Sequence, residues 1–349
     1  MTWREMSVEE LIALKKVALI DVRSPCEYSV ENIPGAVNVP LFTDHEREMI
    51  GTIYATEGEL VARRRALRIL GPKISDLVEE IVQHRQSGAP LVIHCWRGGL
   101  RSESVASCLS IIGVDSWRLT GGYKAWRRHV VADFEAEVFQ FEALVLDGLT
   151  GSGKTELLQA LEDAGEPVLD LEALAGHRGS VFGALGLGAQ PTQKNFEAKL
   201  WNKLRSFKSK YLFIEAESRK VGNLRVPDFL YKRIQEGKRI LVEGSLTVRA
   251  RRILGEYASG GDSGPDSQVL SDAMAALALI KDRISGEKVK VIMEMVERGD
   301  FQDAVQILLT DYYDPLYRRN MDRPALLTVN SDKREECLKQ LLELAGELN

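Results

Sequence analysis

The chain has 349 residues, 44% of them hydrophobic and 28% charged, which is enough for two folded domains of ordinary globular composition. A formal net charge of −5 excludes a general attraction to nucleic acid or anionic lipid, so a polyanionic partner would have to meet a local basic patch. The best apolar run, residues 274–280, is far shorter than the roughly 18 residues of a membrane-spanning helix. Four scattered cysteines without a secretory leader predict a reduced, cytoplasmic protein that does not enter a membrane.

The first part of the chain alternates between apolar runs and helical periodicity. Residues 19–23 and 91–95 have the character of buried parallel strands, because each is a short apolar run that ends in turn residues. Residues 102–112 place their apolar side chains on one helical face, and 120–126 form a turn and a short helix. We therefore predict an α/β domain with a parallel sheet over residues 1–130.

A second α/β domain is expected over residues 141–349, after a linker at 131–140. Residues 143–147 form a strand that runs into a glycine-rich loop and a helix that begins near Thr155. The pattern over about 269–310 is helical and indicates an insertion in the sheet domain. Further strands are predicted at 211–214, 239–242 and 325–329.

A cysteine loop, residues 95–102, lies between a predicted strand and a helix N-terminus. Successive backbone amides and the helix dipole favour an anion in such a place, and a thiolate is an anion. We therefore predict that Cys95 is a nucleophile, with Arg97 and Arg101 holding the anionic group that it attacks. Cys108 lies on the apolar face of the following helix and is expected to be structural.

The residues around this loop resemble the rhodanese family over about the first 130 positions. The resemblance implies a rhodanese-like fold in which the loop cysteine carries sulfur or a heavier chalcogen. Asn32 stands where the family usually has a histidine before the turn. The five residues between Cys95 and Arg101 also fit the loop of cysteine phosphatases, so both readings stay open. The resemblance rests on residues 21–23, 27–28, 33–40, 95–102 and 121–126.

The glycine-rich loop at 148–155 matches the phosphate-binding pattern G-x-x-x-x-G-K-[ST] in the strand–loop–helix context that the pattern requires. Its amides can cradle a diphosphate, the Lys154 ammonium can neutralise it, and the Thr155 hydroxyl can bind Mg²⁺. Glu215 and Glu243, each at the end of a predicted strand, are candidate metal carboxylates. The expected diphosphate-binding residues are Gly148, Gly151, Ser152, Gly153, Lys154 and Thr155.

Three polar segments contribute to a second resemblance: residues 176–183, 190–197 and 215–222. Together with a rhodanese unit placed before a phosphate-loop unit, they resemble the tRNA 2-selenouridine synthase family over nearly the whole chain. The resemblance implies a transferase that alkylates the sulfur of wobble 2-thiouridine with geranyl diphosphate and then replaces it with selenium from selenophosphate. It implies that Cys95 holds the selenium and the Lys154 loop holds the diphosphate. A selenophosphate-producing enzyme would then be a partner.

Alkylation requires stabilisation of a diphosphate leaving group, which the glycine loop, Mg²⁺ and a nearby arginine could supply. Arg178 is the candidate arginine.

A tRNA ligand requires concentrated positive charge. Residues 194–210 carry six basic side chains against Glu197, interleaved with aromatic residues. A solvated helix face with buried aromatics explains the same pattern equally well. Residues 249–252 and 312–319 are secondary candidates. The candidate tRNA contacts are Lys199, Lys203, Arg205, Lys208, Lys210, Arg318 and Arg319.

Two other functions remain open on the sequence. One is a cysteine phosphatase that the phosphate-loop domain regulates, which would release phosphate from an aryl phosphate. The other is a nucleotide-gated persulfide carrier, which would bind a nucleotide but not tRNA. The transferase is preferred because it uses both anion-binding loops in one reaction.

Overall fold

The computed structural model describes residues 3–178, 188–257, 285–321 and 323–348, with the side chains of 256–257 and 318–321 left aside. The chain divides into two units. The first comprises residues 1–136 and 197–202, and the second comprises 137–196 and 203–349. Each unit is built on its own parallel sheet, so the predicted fold class, a parallel-sheet domain followed by a second α/β domain, is confirmed.

Within the described residues, the sheet of the first unit has five parallel strands in the order β1-β5-β4-β2-β3. The inner strands β2 and β4 are buried along their whole length, as expected for apolar runs covered by helices on both faces. The strands are β1 Arg4–Met6, β2 Ala18–Asp21, β3 Val37–Asn38, β4 Leu91–His94 and β5 Trp117–Leu119.

Helices connect these strands because parallel neighbours need crossover connections. Several begin with local side-chain caps. Ser7 and Glu10 form a capping box at the first helix, and Thr43 and Glu46 form another at the third. The helices are α1 Val8–Ala13, α2 Pro25–Val30, α3 Asp44–Thr56, α4 Glu59–Leu70, α5 Ile74–Gln83, α6 Leu100–Ile111 and α7 Gly122–Glu135, with a short 3₁₀ helix at Gly71–Lys73.

Helix α7 extends into the stretch 131–140, which sequence reasoning treated as a linker. Its last turns remain helical as far as Glu135 because Val130 and Phe134 are buried there. The second unit begins immediately afterwards, at residue 137.

The sheet of the second unit has the order β12-β11-β6-β8-β7 among the described residues, again all parallel, and β9 and β10 form a separate antiparallel pair. The strand that leads into the glycine loop, β6, is therefore central. The strands are β6 Glu142–Asp147, β7 Val168–Leu169, β8 Tyr211–Glu215, β9 Lys220–Val221, β10 Leu224–Arg225, β11 Lys238–Glu243 and β12 Leu327–Asn330.

The helices that follow β6 cover both faces of this sheet and add a small cluster of their own around Ile292, Leu309 and Tyr312. They are α8 Lys154–Asp163, α9 Leu171–Ala175, α10 Gln193–Ser206, α11 Asp228–Glu236, α12 Leu246–Tyr257, α13 Gly286–Arg298, α14 Phe301–Leu308, α15 Asp314–Met321 and α16 Arg334–Leu348, with a π-helical turn at Leu309–Tyr313 and a 3₁₀ helix at Ser331–Lys333.

The predicted helical stretch 269–310 contains α13 and α14, while its part before residue 285 lies outside the described residues. Among the residues that the structure describes, no helix is long and apolar enough to cross a membrane.

Candidate functional site

Cys95 lies directly after β4, at the carboxyl edge of the first sheet, and α6 begins five residues later. Its side chain is almost fully buried, with 3% of the residue exposed. The Cys95 Sγ lies 3.3 Å from Ser102 Oγ, within the distance of a sulfur hydrogen bond. Because Ser102 stands in the first turn of α6, the thiol lies at the end of the helix where backbone amides have no helical partner.

The start of α7 fixes the path of the cysteine loop. The Tyr123 and Lys124 backbone amides donate hydrogen bonds of 2.9 Å to the carbonyls of Cys95 and Trp96. Since the N–H and C=O of a planar trans peptide point in opposite directions, the next loop amides face away from α7. Gly122 permits this contact, because a Cβ there would lie only 2.2 Å from the Cys95 carbonyl oxygen.

A buried charge cluster lies next to the loop. The fully buried Arg23 guanidinium donates to the Asp21 carboxylate at 2.6 Å and lies over the Tyr123 ring at 4.5 Å from its centroid. The His94 Nε2 is 3.8 Å from the same carboxylate. Burial lowers the pKa of His94, so its ring is neutral near pH 7. Nothing in the sequence distinguishes His94 from the other residues of its predicted strand.

The two arginines predicted to hold an anion beside Cys95 differ in their surroundings. Arg101 donates two hydrogen bonds to the Glu27 carboxylate, and Arg47 is 3.8 Å from that carboxylate. Arg97 is exposed and forms no hydrogen bond or ion pair within the described part of the chain. The pairing with Glu27 neutralises Arg101, so an anion at the cysteine loop would rely on backbone amides and Arg97.

The glycine loop at 148–155 joins the central strand β6 to α8. Gly151 and Gly153 have left-handed backbone angles, φ +76° and +87°. Gly148 is in close contact with the neighbouring strand, because a Cβ there would lie 2.3 Å from the Val242 carbonyl oxygen. The Lys154 ammonium donates a 2.9 Å hydrogen bond to the Gly148 carbonyl. The loop has the compact form that lets successive amides converge on a phosphate group.

Two arginines of α12 hold this loop from outside. Arg249 donates to the Thr150 carbonyl at 2.9 Å and pairs with Asp314, and Arg252 donates to the Ser152 carbonyl at 3.3 Å. Sequence reasoning considered residues 249–252 for tRNA contact. In the structure Arg249 is buried, and its guanidinium is held by the Thr150 carbonyl and the Asp314 carboxylate instead.

A cluster of carboxylates lies beside the glycine loop. Glu172, Glu215 and Glu217 each offer an oxygen within 4.8 Å of the others, and Asp170 caps the short helix α9 nearby. Glu215 is buried at the end of β8, where its carboxylate accepts the Glu172 backbone N–H at 2.8 Å. Hard oxygen ligands at this spacing suit a divalent cation such as Mg²⁺.

Two carboxylates of this cluster, Glu215 and Glu217, have raised pKa values. Burial raises the pKa of Glu215 well above its usual value, and the neighbouring Glu172 and Asp170 raise it further. Burial also raises the pKa of Glu217 to about 7, although the Lys154 ammonium acts in the opposite direction. The Lys154 ammonium of the glycine loop therefore interacts electrostatically with this cluster. A cation bound here would replace protons and neutralise the repulsion among the acids.

Glu243, the other predicted metal carboxylate, is exposed at the end of β11 and does not join this cluster. Thr155 is exposed in the first turn of α8. Arg178 ends the described segment after α9. The sequence indicates Glu215 and, two residues later in the same polar block, Glu217, but not Glu172, whose proximity to them depends on the fold.

In the predicted tRNA patch, most of the basic side chains are exposed and most of the aromatic rings are buried. Lys199, Arg205, Lys208 and Lys210 are exposed, whereas Lys203 is paired with Glu162. Three of the four interleaved rings, Phe196, Trp201 and Tyr211, belong to the core and are unavailable for stacking on a base, whereas Phe207 is half-buried. The side chains of Arg318 and Arg319 lie outside the described residues.

These features define a two-unit α/β protein with a cysteine loop on one sheet and a phosphate-loop fold on the other. The rhodanese-like domain family matches residues 6–129, and the family described as "tRNA 2-selenouridine synthase AAA domain" matches residues 141–347. The chain belongs to the tRNA 2-selenouridine synthase family and is therefore an enzyme.

Several curated relatives support this assignment at nearly full length, and each is named tRNA 2-selenouridine synthase. The relative from Cupriavidus necator is 33% identical over 345 residues, covering 92% of the chain and 93% of the relative. The relative from Psychromonas ingrahamii is 31% identical, covering 92% and 93%. The relative from Pseudomonas savastanoi is 32% identical, covering 95% of both chains.

Proposed function

We propose that this enzyme converts wobble 2-thiouridine of tRNA to 2-selenouridine in two steps, S-geranylation followed by replacement of the S-geranyl group with selenium. The observation that carries the proposal is the pair of backbone loops, each at the carboxyl edge of its own sheet. One surrounds a buried thiol at Cys95, and the other has the form of a diphosphate cradle with Lys154. The relatives' shared name supplies the substrate class.

In the first step, the thiocarbonyl sulfur of the base attacks C1 of geranyl diphosphate, and the C1–O bond breaks. Pyrophosphate leaves with the bonding electron pair. The amides of residues 148–155 and the Lys154 ammonium would stabilise that developing charge. Thr155 is positioned at the helix N-terminus, where its hydroxyl could bind a metal. Arg178 remains the candidate for a further contact with the diphosphate.

Mg²⁺ fits this step because of the acids beside the loop. Glu172, Glu215 and Glu217 place their oxygens within 4.8 Å of one another, and the Lys154 charge acts on Glu217. One buried and two half-buried acids at this spacing repel unless they hold protons or a cation. A bound Mg²⁺ would supply positive charge to the leaving pyrophosphate. We assign metal binding to this cluster rather than to Glu243.

In the second step, the selenium of selenophosphate, bound at the loop beside Cys95, attacks C2 of the base. The C2–S bond breaks, the sulfur leaves with the bonding electron pair and is protonated to geranylthiol, and water then cleaves the Se–P bond and releases phosphate. The Ser102 hydroxyl, 3.3 Å from the Cys95 sulfur, would donate a hydrogen bond to the anionic chalcogen. Arg97 would add positive charge at the loop. The pairing of Arg101 with Glu27 disfavours a phosphatase, because such an enzyme needs the loop arginine for the phosphate oxygens.

Binding of tRNA would use four exposed basic side chains: Lys199 in the middle of α10, Arg205 near its end, and Lys208 and Lys210 just after it. These positions suit phosphate contacts, since most of the aromatic rings interleaved with them are buried. A selenophosphate-producing enzyme is the expected source of the selenium donor.

The test is mass spectrometry of tRNA nucleosides after incubation with thiolated tRNA, geranyl diphosphate and selenophosphate. The wild-type enzyme should produce 2-selenouridine. Cys95→Ser should stop at the S-geranyl nucleoside, and Lys154→Ala should slow geranylation. Cys26→Ser, which changes an exposed cysteine outside the loop, is the matched control and should retain both steps. Equal loss of both steps in the Cys95 and Lys154 variants, with folding intact, would contradict the division of labour.

A further inference from the structure

Helix α4 has an arginine-rich surface to which the proposed reaction gives no role. The helix carries four arginines against one glutamate, a net charge of +3 in a chain whose overall charge is −5. Ala62 and Leu70 are buried on its inner side. Within the described residues only Arg63 pairs with a carboxylate, that of Glu59 one turn earlier. Such a concentration of positive charge in an acidic chain indicates a local site for a polyanion. The exposed arginines are Arg63, Arg64, Arg65 and Arg68.

The three arginines that lack a carboxylate partner in the described part of the chain crowd one side of the helix. At 3.6 residues per turn, Arg64, Arg65 and Arg68 fall within about 100° of the helix circumference. Arg64 and Arg65 lie four and three residues before Arg68, and like charges at these spacings repel each other. This repulsion lowers the stability of α4, and an anion that approaches from outside the helix would relieve it.

Contacts within the first unit connect this side of α4 to the cysteine loop. Helix α3 begins six residues after the carboxyl end of β3 and packs against α4. The Arg65 guanidinium is 3.9 Å from the Met49 sulfur of α3. Two residues earlier in α3, Arg47 is 3.8 Å from the Glu27 carboxylate, which also accepts hydrogen bonds from Arg101 of the cysteine loop. A polyanion on α4 would therefore lie at the same edge of the sheet as the cysteine loop.

The exposed apolar side chains of α4 raise the alternative of a protein partner. Leu60, Val61 and Leu67 are between 42% and 69% exposed. Single exposed apolar side chains are common on protein surfaces, and it is a contiguous apolar patch that marks a protein interface. Arg64 lies between Leu60 and Leu67 on the same face of the helix, so guanidinium groups interrupt the apolar surface. The pattern therefore favours a phosphate-rich partner over a protein.

We propose that α4 is a docking surface for the sugar–phosphate backbone of tRNA, with Arg64, Arg65 and Arg68 as the phosphate contacts. The planar guanidinium group of arginine bonds phosphate oxygens in pairs. The inference rests on the proposed function, which supplies the tRNA, and it adds a second surface to the basic side chains of residues 199–210. Phosphate contacts hold and orient a nucleic acid without reading its bases. The α4 surface therefore holds the tRNA on the unit that carries out the selenium step.

Fluorescence anisotropy of labelled, thiolated tRNA with the full-length enzyme, at salt concentrations from about 50 to 200 mM, tests this surface. The triple variant Arg64→Gln/Arg65→Gln/Arg68→Gln should bind tRNA at least about tenfold more weakly, and its salt slope should fall by about one unit per lost phosphate contact. At saturating tRNA it should incorporate selenium at the wild-type rate, because these arginines do not contact the reacting atoms. Replacement of the same three arginines by lysine keeps the charges and should retain most of the affinity.

Lys15→Gln/Lys16→Gln/Arg85→Gln is the matched control. It removes three exposed basic side chains that precede β2 and β4, at the amino edge of the same sheet. The net charge changes equally in both triple variants, but the control should bind tRNA as the wild type does. Thermal unfolding should show both variants to be as stable as the wild type, because all six side chains are exposed.

Wild-type affinity and salt slope in the α4 variant would overturn the inference, and so would equal losses in both triple variants. Wild-type tRNA binding by the α4 variant together with a smaller mass in light scattering would assign the surface to contacts between copies of the chain, which also overturns it. If the wild-type enzyme does not bind tRNA at all, the proposed function fails as well. Normal tRNA binding by all variants would overturn only the docking surface.

Discussion

Replacement of Gly122 by alanine should disable Cys95 without unfolding the first unit. Gly122 has φ +57°, and a Cβ there would lie 2.2 Å from the Cys95 carbonyl oxygen and 2.5 Å from the Gly98 nitrogen. These neighbours are backbone atoms that cannot rotate away, so the loop must move by about 1 Å to reach an ordinary contact. A displacement of about 1 Å at reacting groups costs on the order of 100-fold in rate.

Gly113→Ala is the matched control, because Gly113 also has a positive φ, +78°, but nothing lies within 4 Å of a Cβ there. Both variants carry the same kind of backbone strain, about 1–2 kcal/mol. This strain should therefore lower the free energy of unfolding of both variants by a similar amount, while only Gly122→Ala displaces the cysteine loop. The contrast separates a change of loop geometry from general destabilisation.

The assay is the rate of selenium incorporation into S-geranylated tRNA, together with the rate of haloacetamide alkylation at Cys95, followed by peptide mass spectrometry. Gly122→Ala should reduce selenium incorporation by about 100-fold, and Gly113→Ala should remain close to the wild-type rate. Thermal unfolding confirms that both variants are folded. If the two variants have the same rates at equal stability, the crowding at Gly122 does not position Cys95 and the reasoning is refuted.

Three further outcomes are expected. Because burial raises the pKa of Glu217 to about 7 from 4.5, the folded enzyme binds a proton that the unfolded chain releases, so stability falls as pH rises from about 4.5 to 7. Glu217→Gln should flatten that fall in urea unfolding between pH 5 and pH 8, and an unchanged slope would contradict the assignment. Arg249→Met should destabilise the second unit by about 3–5 kcal/mol in denaturant unfolding, because it leaves the Asp314 carboxylate without its buried partner; a loss below about 1 kcal/mol would show the pair to be dispensable. Affinity for tRNA should fall steeply as salt rises from 50 to 200 mM in filter-binding assays, whereas a flat dependence would reject the basic patch.

The strand–loop–helix units could be predicted from the sequence because their signals are local. An apolar run, a glycine-rich turn and a helical period follow one another within about twenty residues at both Cys95 and Lys154. The order of strands in the sheet is not a local property. Glu215 and Glu243 end the two strands that flank β6, and only the fold shows that Glu215, and not Glu243, meets Glu172.

The contacts by which α12 supports the glycine loop could not be predicted from the sequence either. Arg249 and Arg252 bond to carbonyls about a hundred residues earlier in the chain, at Thr150 and Ser152. Their spacing along the helix resembles an ordinary basic patch, and their burial depends on tertiary contacts. An arginine cluster therefore indicates a nucleic-acid surface only when its side chains are exposed.

Most glycines at the two candidate loops are crowded, whereas several glycines in ordinary turns are open; Gly222 and Gly237 are crowded outside the loops, and Gly99 is open within the cysteine loop. A positive φ occurs in both settings, so it does not identify a site. At the open positions a Cβ would meet nothing within 4 Å, and substitution costs only backbone strain; these include Gly58, Gly88 and Gly113. At the two loops a Cβ would lie within 3.0 Å of neighbouring atoms, as at Gly98, Gly122, Gly148, Gly151 and Gly153. Gly98, Gly122, Gly148 and Gly151 therefore require glycine because main chain approaches main chain there, which is the condition for several amides to converge on one anion, whereas at Gly153 the neighbour is the Arg252 side chain.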